Sequence, residues 1–211
     1  MVSILLASAS ERRRDILSEI VNETVQLESR ALASNEINPS SGIEVSERVE
    51  LICSAKAEAA AQEIAINGEL PDLVIVSDTL VEDPTDPLIA LGQPIDELVA
   101  ASMLLELSGR RHRVWSCTAI LYSPAFEKCG AEILHAGWTA DIWSESAVVE
   151  FDELTQDVLA DLVSSGSWKG KAGAYDLAGL AGKHASLIDG AEVTVLGFAS
   201  SAMEIISSLI G

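Results

Sequence analysis

The residues best equipped for chemistry open the chain: Ser8, Ser10, Arg12, Arg13 and Arg14 within ILLASASERRRDIL, from Ile4 to Leu17. Ser10 is a natural N-cap for a helix beginning at Glu11, which places the three arginines in the first turn. That turn is the positive end of the helix dipole, where each cation costs roughly a few tenths of a kcal/mol or more. A local rule broken three times points to a functional site. The simplest compensation is an anion held jointly by free helix N–H groups, serine hydroxyls and guanidinium forks. Neighbouring acids such as Glu19 offer a plainer answer, a solvated basic turn.

Other residues fit the same chemistry. Asp78 and Thr79 follow Leu73-Val74-Ile75-Val76, a β-branched run that reads as a strand covered on both faces. A carboxylate at the carboxyl end of such a strand stands where open α/β sheets bind ligands, although a turn aspartate with an Asx bond would look the same. Lys56 sits inside an alanine-rich helix, where a lysine is ordinarily a snorkelling surface residue. The loop SSGSWKGKAG, from Ser164 to Gly173, contains Gly-Lys but fails the Walker A spacing; its amides and two lysines still suit phosphate. Arg12 to Arg14, Arg110-Arg111-Arg113 and Lys169-Lys171 hold eight of the 13 basic residues, and three such islands meeting in one cleft would make a polyphosphate site.

The elements that must position these groups alternate between strand and helix patterns. After the first strand and helix, residues 24–27 read as a strand, 34–42 as a loop carrying Glu36, and 45–66 as a long helix. Asp96 caps a helix running to about Leu107, with Met103, Leu104 and Leu107 on its apolar face, ended by Ser108-Gly109. Residues 112–123 and 131–143 predict an antiparallel hairpin, 152–163 a helix, 191–196 a last strand and 199–209 a closing helix. His112 and His135 fall on the hairpin strands with no partner at metal-site spacing.

Composition narrows the possibilities. A chain of 211 residues, 48% hydrophobic and 22% charged, predicts a globular protein of one large domain or two small lobes. The absence of a spanning apolar run and of a signal-peptide pattern predicts a cytoplasmic protein with no membrane association. Cys53, Cys117 and Cys129 lack the spacing of a zinc site or disulfide framework and read as reduced thiols. A net charge of −20 argues against a nucleic acid polymer as partner, but not against a small anion.

Taken together, these residues resemble the Maf family of nucleoside triphosphate pyrophosphatases, also called septum formation inhibitor proteins. The resemblance is carried by LASASERRRDIL, SAKAEA around Lys56, SDTLV at Asp78, LGQP at Gly92, LSGRRHRV at Arg110 and KAGAYDLAGL from Lys171, in family order nearly end to end. It implies an inosine-triphosphatase-like α/β fold: a long curved mixed sheet flanked by helices, with a deep cleft between two lobes of one domain spanning residues 1–211. It also implies a homodimer, and attack by water on the α-phosphorus of a nucleoside triphosphate, releasing a monophosphate and pyrophosphate with Mg²⁺ or Mn²⁺. By the resemblance, Ser8, Ser10, Arg12 and Arg13 match the phosphate-binding motif, while Arg14 has no such match and is expected to face solvent. Glu36 falls where the family places an acid, and Lys56 matches the lysine of A-K-A. Asp78 matches the central aspartate, a metal ligand with Glu36 and orienter of the attacking water. Thr79, Gln93, Asp96 and Lys171 match positions lining the cleft.

Three departures stand out. Gln93 replaces the usual lysine of L-G-K-P, and Glu11 stands where proline is usual. Members acting on dTTP and UTP usually read G-A-Y-G-I-Q-G, against Gly173-Ala174-Tyr175-Asp176-Leu177-Ala178-Gly179 here. Ala178 cannot make the amide hydrogen bonds of the glutamine it replaces, which weakens polar readout of a base. The leading expectation is a metal-dependent pyrophosphatase acting on non-standard or pyrimidine nucleotides. Gln93 and Ala178 motivate an alternative, a nucleotide-binding cell-division regulator with a degenerate, inactive site.

Overall fold

A computed structural model describes residues 2–33 and 42–210. The chain begins with β1 (Val2–Ala7), α1 (Glu11–Ile20) and β2 (Val25–Arg30), a strand–helix–strand crossover that lays β2 parallel to β1. The long helix α2 (Val45–Asn67) leads into β3 (Leu73–Glu82), which joins the other edge of β1 in parallel over Leu73 to Ile75. The predicted loop 34–42, with Glu36, lies almost wholly outside the described residues. Next come the short β4 (Ala90–Leu91), α3 (Glu97–Leu107), β5 (Arg111–Tyr122), β6 (Glu132–Ile133) and β7 (Thr139–Phe151). The chain closes with α4 (Gln156–Ser164), β8 (Ala185–Asp189), α5 (Glu192–Leu196) and α6 (Ser200–Ile210).

These strands form one eight-stranded mixed sheet in the order β2-β1-β3-β5-β7-β6, with β4 on β3 and β8 on β7. Strand alternation assigns its two faces. Leu5, Val74 and Val76 pack under α2, whose Cys53, Ala57, Ala60 and Ala61 are fully buried; the small side chains let the helix backbone approach the sheet. Ile4, Leu6, Leu73 and Ile75 face the other way, onto Leu17 of α1 and Phe198, Ala202 and Ile206 around α6. Beyond the end of β1, a further apolar cluster joins Val81, Leu104, Leu107, Phe151 and Trp168. The helix-flanked mixed sheet expected from the sequence is therefore present. Cys53 and Cys117 are buried free thiols and Cys129 is an exposed one.

Several boundaries differ from expectation. β3 continues to Glu82 because its antiparallel ladder with β5 runs from Leu73↔Tyr122 to Val81↔Val114, so Asp78 is a mid-strand residue. The terminus beside it belongs to β1, which stops at Ala7 while β3 runs on. The predicted strand 131–143 is broken at Ala136 (φ 55°) and Gly137 (φ 82°), so the true partner of β5 is β7, and His135 lies in a 3₁₀ turn. The helix expected over 152–163 begins only at Gln156, capped by Thr155, its hydroxyl accepting from Val158 N. The apolar run 191–196 folds as the helix α5, whose Thr194 and Val195 are buried, while the sheet gains β8 instead.

His112 on β5 is buried, stacked on Phe151 and joined through Nε2 to the hydroxyl of Tyr175 at 2.8 Å. Its Nδ1 has no hydrogen-bond partner among the described residues. Burial pushes the imidazole down to about 4 from an ordinary value of 6.5, and pushes the Tyr175 hydroxyl up. The unfolded chain thus takes up this proton at higher pH than the folded one. Stability contributed by the neutral ring is complete above pH 6.5 and is lost as pH falls toward 4, by at most about 3 kcal/mol. Urea unfolding at a series of pH values is expected to show a flatter acid slope for His112→Gln than for the wild type.

Candidate active site

At the end of β1 the chain turns through Ala7-Ser8-Ala9-Ser10 into α1, and this turn forms one wall of a cleft of about 920 Å³. Ser10 caps the helix, its side chain accepting from Arg13 N at 3.3 Å, and Ser10 N donates to Ser8 Oγ at 3.1 Å. The opposite wall is α2, which presents Ile52, Ala55, Lys56 and Ala59; Ser77, Asp78 and Thr79 of β3 supply the floor. Gln93, Lys169 and Lys171 complete the lining.

The three arginines of the first turn have three different fates. Arg13 folds back beneath the helix, Nε donating to Gly197 O at 2.9 Å, Nη1 to Ser77 O at 2.8 Å and Nη2 to Thr79 Oγ1 at 3.0 Å. It therefore brackets Asp78 from both sides along the strand. Gly197 has φ +124°, and a Cβ there would stand 2.9 Å from Arg13 Nε, so only glycine permits the approach. Arg12 lines the cleft with Nη2 2.9 Å from Asp176 Oδ1, although this buried nitrogen is not aimed at the oxygen and makes no formed hydrogen bond. Arg14 is exposed and pairs with Asp15. Cations at a helix N-terminus are thus answered by carbonyls, a hydroxyl and two aspartates, not by Glu19.

On the floor, Lys56 Nζ donates to Asp78 Oδ1 at 2.6 Å, both side chains less than one-fifth exposed. The lysine is inward-facing because Ala55 and Ala59 leave room at the cleft wall. Asp78 Oδ2 has no hydrogen-bond partner among the described residues. Thr79 Oγ1, besides accepting from Arg13, lies 2.8 Å from Ser116 Oγ, which donates to Thr194 O at 2.7 Å; α5 is thereby tied to the floor. Lys171 is depressed below the ordinary lysine value, first by burial and then by the neighbouring Arg12, while Asp176 and Glu11 act in the opposite direction. The loop that bears it is pinned by Gly173 N donating to Gly92 O at 3.1 Å. At φ +68°, Gly173 leaves no space for a Cβ, which would meet Val81 Cγ2 at 2.9 Å.

The structure thus brings together Ser8, Ser10, Arg12, Arg13, Lys56, Asp78, Thr79, Gln93 and Lys171. Glu36 lies outside the described residues. Asp96 is not among the cleft-lining residues: its carboxylate accepts from Val99 N at 2.8 Å and caps α3. Arg110, Arg111 and Arg113 do not line the cleft either, because strand alternation turns Arg111 and Arg113 outward to Glu150 and Glu82 while His112 and Val114 face inward. Two cationic islands converge here, not three. Asp176 was visible in sequence as an acid in a glycine's place, but its partner Arg12 was not. Gly197 gave no signal beyond being a glycine after an apolar run.

Among the described residues no group of three or more His, Cys, Asp or Glu could hold a metal by themselves. A hard divalent ion such as Mg²⁺ uses one or two carboxylates and takes its remaining ligands from water and substrate phosphates, so the donor set at Asp78, with Oδ2 open, fits it.

A family model described as Maf-like protein matches residues 3–206. A dTTP/UTP pyrophosphatase from Cupriavidus metallidurans is 34% identical over 203 residues, covering 93% of this chain and 92% of the relative. Proteins of the same name from Burkholderia thailandensis and Pelotomaculum thermopropionicum are each 32% identical, over 92% and 93% of this chain and 86% and 91% of their own lengths. A solved structure, the nucleoside-triphosphatase / dITP/XTP pyrophosphatase from Mycobacterium abscessus, aligns with a TM-score of 0.43 at 12% identity over 72% of this chain and 76% of that one.

The clamp formed by Arg13 predicts a stability effect separable from any role at phosphate. Arg13→Ala leaves Ser77 O, Thr79 Oγ1 and Gly197 O without that donor, and is expected to lower unfolding free energy by about 3 kcal/mol, while Arg14→Ala stays within about 0.5 kcal/mol of the wild type. Equilibrium denaturation of the two variants reads the difference directly.

Proposed function

The chain belongs to the Maf-like protein family, and on that premise we propose that its cleft is the active site of a nucleoside triphosphate pyrophosphatase, a hydrolase splitting the α–β anhydride into a monophosphate and pyrophosphate. The single observation that carries the reading is the Lys56–Asp78 pair on the floor of a cleft whose wall is a serine- and arginine-bearing helix N-terminus. Such a site offers what phosphoryl chemistry asks of a protein: charge neutralisation and positioning.

In this reading the triphosphate lies along the α1 turn. Ser8 and Ser10 hydroxyls, free amides of the first turn, Arg12 and Lys171 take its oxygens, with Gln93 donating an amide. Arg13 acts from behind, holding Ser77 and Thr79 so that Asp78 cannot drift along the strand. Lys56 occupies Oδ1 of Asp78, which leaves Oδ2 to orient a water for in-line attack on the α-phosphorus. Asp78, together with Glu36, would hold Mg²⁺ or Mn²⁺, which when bound neutralises charge on the phosphate oxygens. Asp176 must yield part of its hold on Arg12 as phosphate arrives, exchanging one anion for another.

The substrates are taken to be pyrimidine triphosphates, dTTP and UTP, as in the names of the relatives. Ala178 is exposed and outside the cleft-lining residues. The inactive-regulator alternative is not favoured: the relatives are named as enzymes, and the lysine–aspartate pair is intact. The whole chain is taken as one domain, working in the cytoplasm as a homodimer. Its charge of −20 disfavours nucleic acid polymers, and no helix among the described residues is long and apolar enough to cross a membrane.

Incubation with canonical and modified triphosphates and Mg²⁺ or Mn²⁺ is expected to release pyrophosphate and a monophosphate, with dTTP or UTP among the best substrates. Orthophosphate and a diphosphate would overturn the assigned bond. Asp78→Asn is expected to lower kcat by about 10³-fold or more with an unchanged circular dichroism spectrum; wild-type turnover in that variant would remove Asp78 from the mechanism.

A further inference from the structure

We propose that Lys169 is an additional substrate-binding residue, which supplies to the cleft the positive charge that Gln93 lacks and takes the β- and γ-phosphate oxygens. The proposal rests on the pyrophosphatase reading above for the identity of its ligand, and on three independent observations for the residue.

The first is placement. Lys169 and Gln93 line the same cleft, and the loop bearing the lysine is fastened to the turn bearing the glutamine by Gly173 N donating to Gly92 O at 3.1 Å. The bond ties the two segments together beside the cleft that both side chains line.

The second is the state of its charge. Arg12 already lies against Asp176, and Lys56 against Asp78, so each must share its charge with an acid. Lys169 has no carboxylate within ion-pair distance among the described residues. In a chain of net charge −20, an exposed cation beside a cleft and without an acidic partner keeps its whole attraction for an incoming polyanion.

The third is support. The Lys169 ammonium stands 5.6 Å from the ring centroid of Trp168, within the range of a cation–π contact. Trp168 itself is buried, 5% exposed, and anchored by Nε1 donating to Val163 O at 2.9 Å. The indole is therefore a fixed platform that holds a long, flexible side chain beside the cleft and lowers the entropic cost of recruiting it. No covalent step involves this residue; its effect is on binding of the triphosphate and of the pyrophosphate product.

Titration calorimetry with pyrophosphate alone and with UMP alone, on the wild type and on Lys169→Gln, tests the idea. Pyrophosphate affinity is expected to fall about five- to tenfold in the variant while UMP affinity changes less than twofold, and the effect on triphosphate hydrolysis should fall on KM and not on kcat. Gln93→Lys added to Lys169→Gln is expected to restore pyrophosphate affinity, since it returns one cation to the same cleft. Equal pyrophosphate affinity in wild type and Lys169→Gln, an equal loss for UMP, or no pyrophosphate binding by the wild type would each overturn the assignment. A wild type that binds pyrophosphate but releases none from any triphosphate would overturn the pyrophosphatase reading and leave the Lys169 result standing.

Discussion

Arg13 is the constraint on which the site depends. One guanidinium joins the start of α1, the middle of β3 and the turn between α5 and α6, through a hydroxyl and two backbone carbonyls. The planar fork makes this possible, since its donors point in fixed, diverging directions that a lysine ammonium does not reproduce. Ser77 strengthens the same junction, with Oγ 2.7 Å from Gly197 O, and Ala199 N donates to Thr118 Oγ1 on the neighbouring strand. Since Asp78 sits between the two β3 groups that Arg13 holds, the position of the carboxylate follows from the position of the helix. The turn at the start of α1 and the strand that carries Asp78 are thereby tied together by one side chain.

Charge is distributed with similar economy. The protein is strongly acidic overall, yet the cleft gathers Arg12, Arg13, Lys56, Lys169 and Lys171. Unopposed, that concentration would destabilise the folded chain. Carbonyl oxygens, Asp78 and Asp176 relieve it without removing the cations from the cleft. These partners are also what a bound polyphosphate must compete with or lean upon. A lysine depressed by burial, as Lys171 is, gains most from a dianionic neighbour, because little water remains to screen the attraction.

Much of the framework was legible in the sequence for local reasons. Ser10, Asp96 and the alanine-rich pattern of α2 announce caps and a helix whose positions agree with the structure within a residue or so. Two of the differences have local causes. Periodicity over six residues cannot separate a buried helix turn from a buried strand, so 191–196 was read as a strand when contact with the sheet's face made it α5. By sequence the strand 73–76 ends at Ser77-Asp78-Thr79, because polar side chains interrupt the apolar run there. They remain strand because Ser116, Thr118 and the rest of β5 offer a complete ladder to pair with.

The sequence by itself determined the family and singled out nine of the polar and charged residues that line the cleft, because motifs and caps are written in neighbouring positions. Only the tertiary structure decided what each charge does. Arg12, Arg13 and Arg14 are adjacent and chemically identical, yet one lies against Asp176, one clamps Gly197 and Ser77, and one lies in solvent beside Asp15. Asp96 and Asp78 are both motif aspartates, but one caps a helix and the other faces Lys56. The partners that meet in the cleft stand far away in sequence, from 22 residues for Lys56 and Asp78 to 184 for Arg13 and Gly197. A side chain's electrostatic role is set by what folding brings within a few ångströms of it, and that proximity is a property of the packed chain.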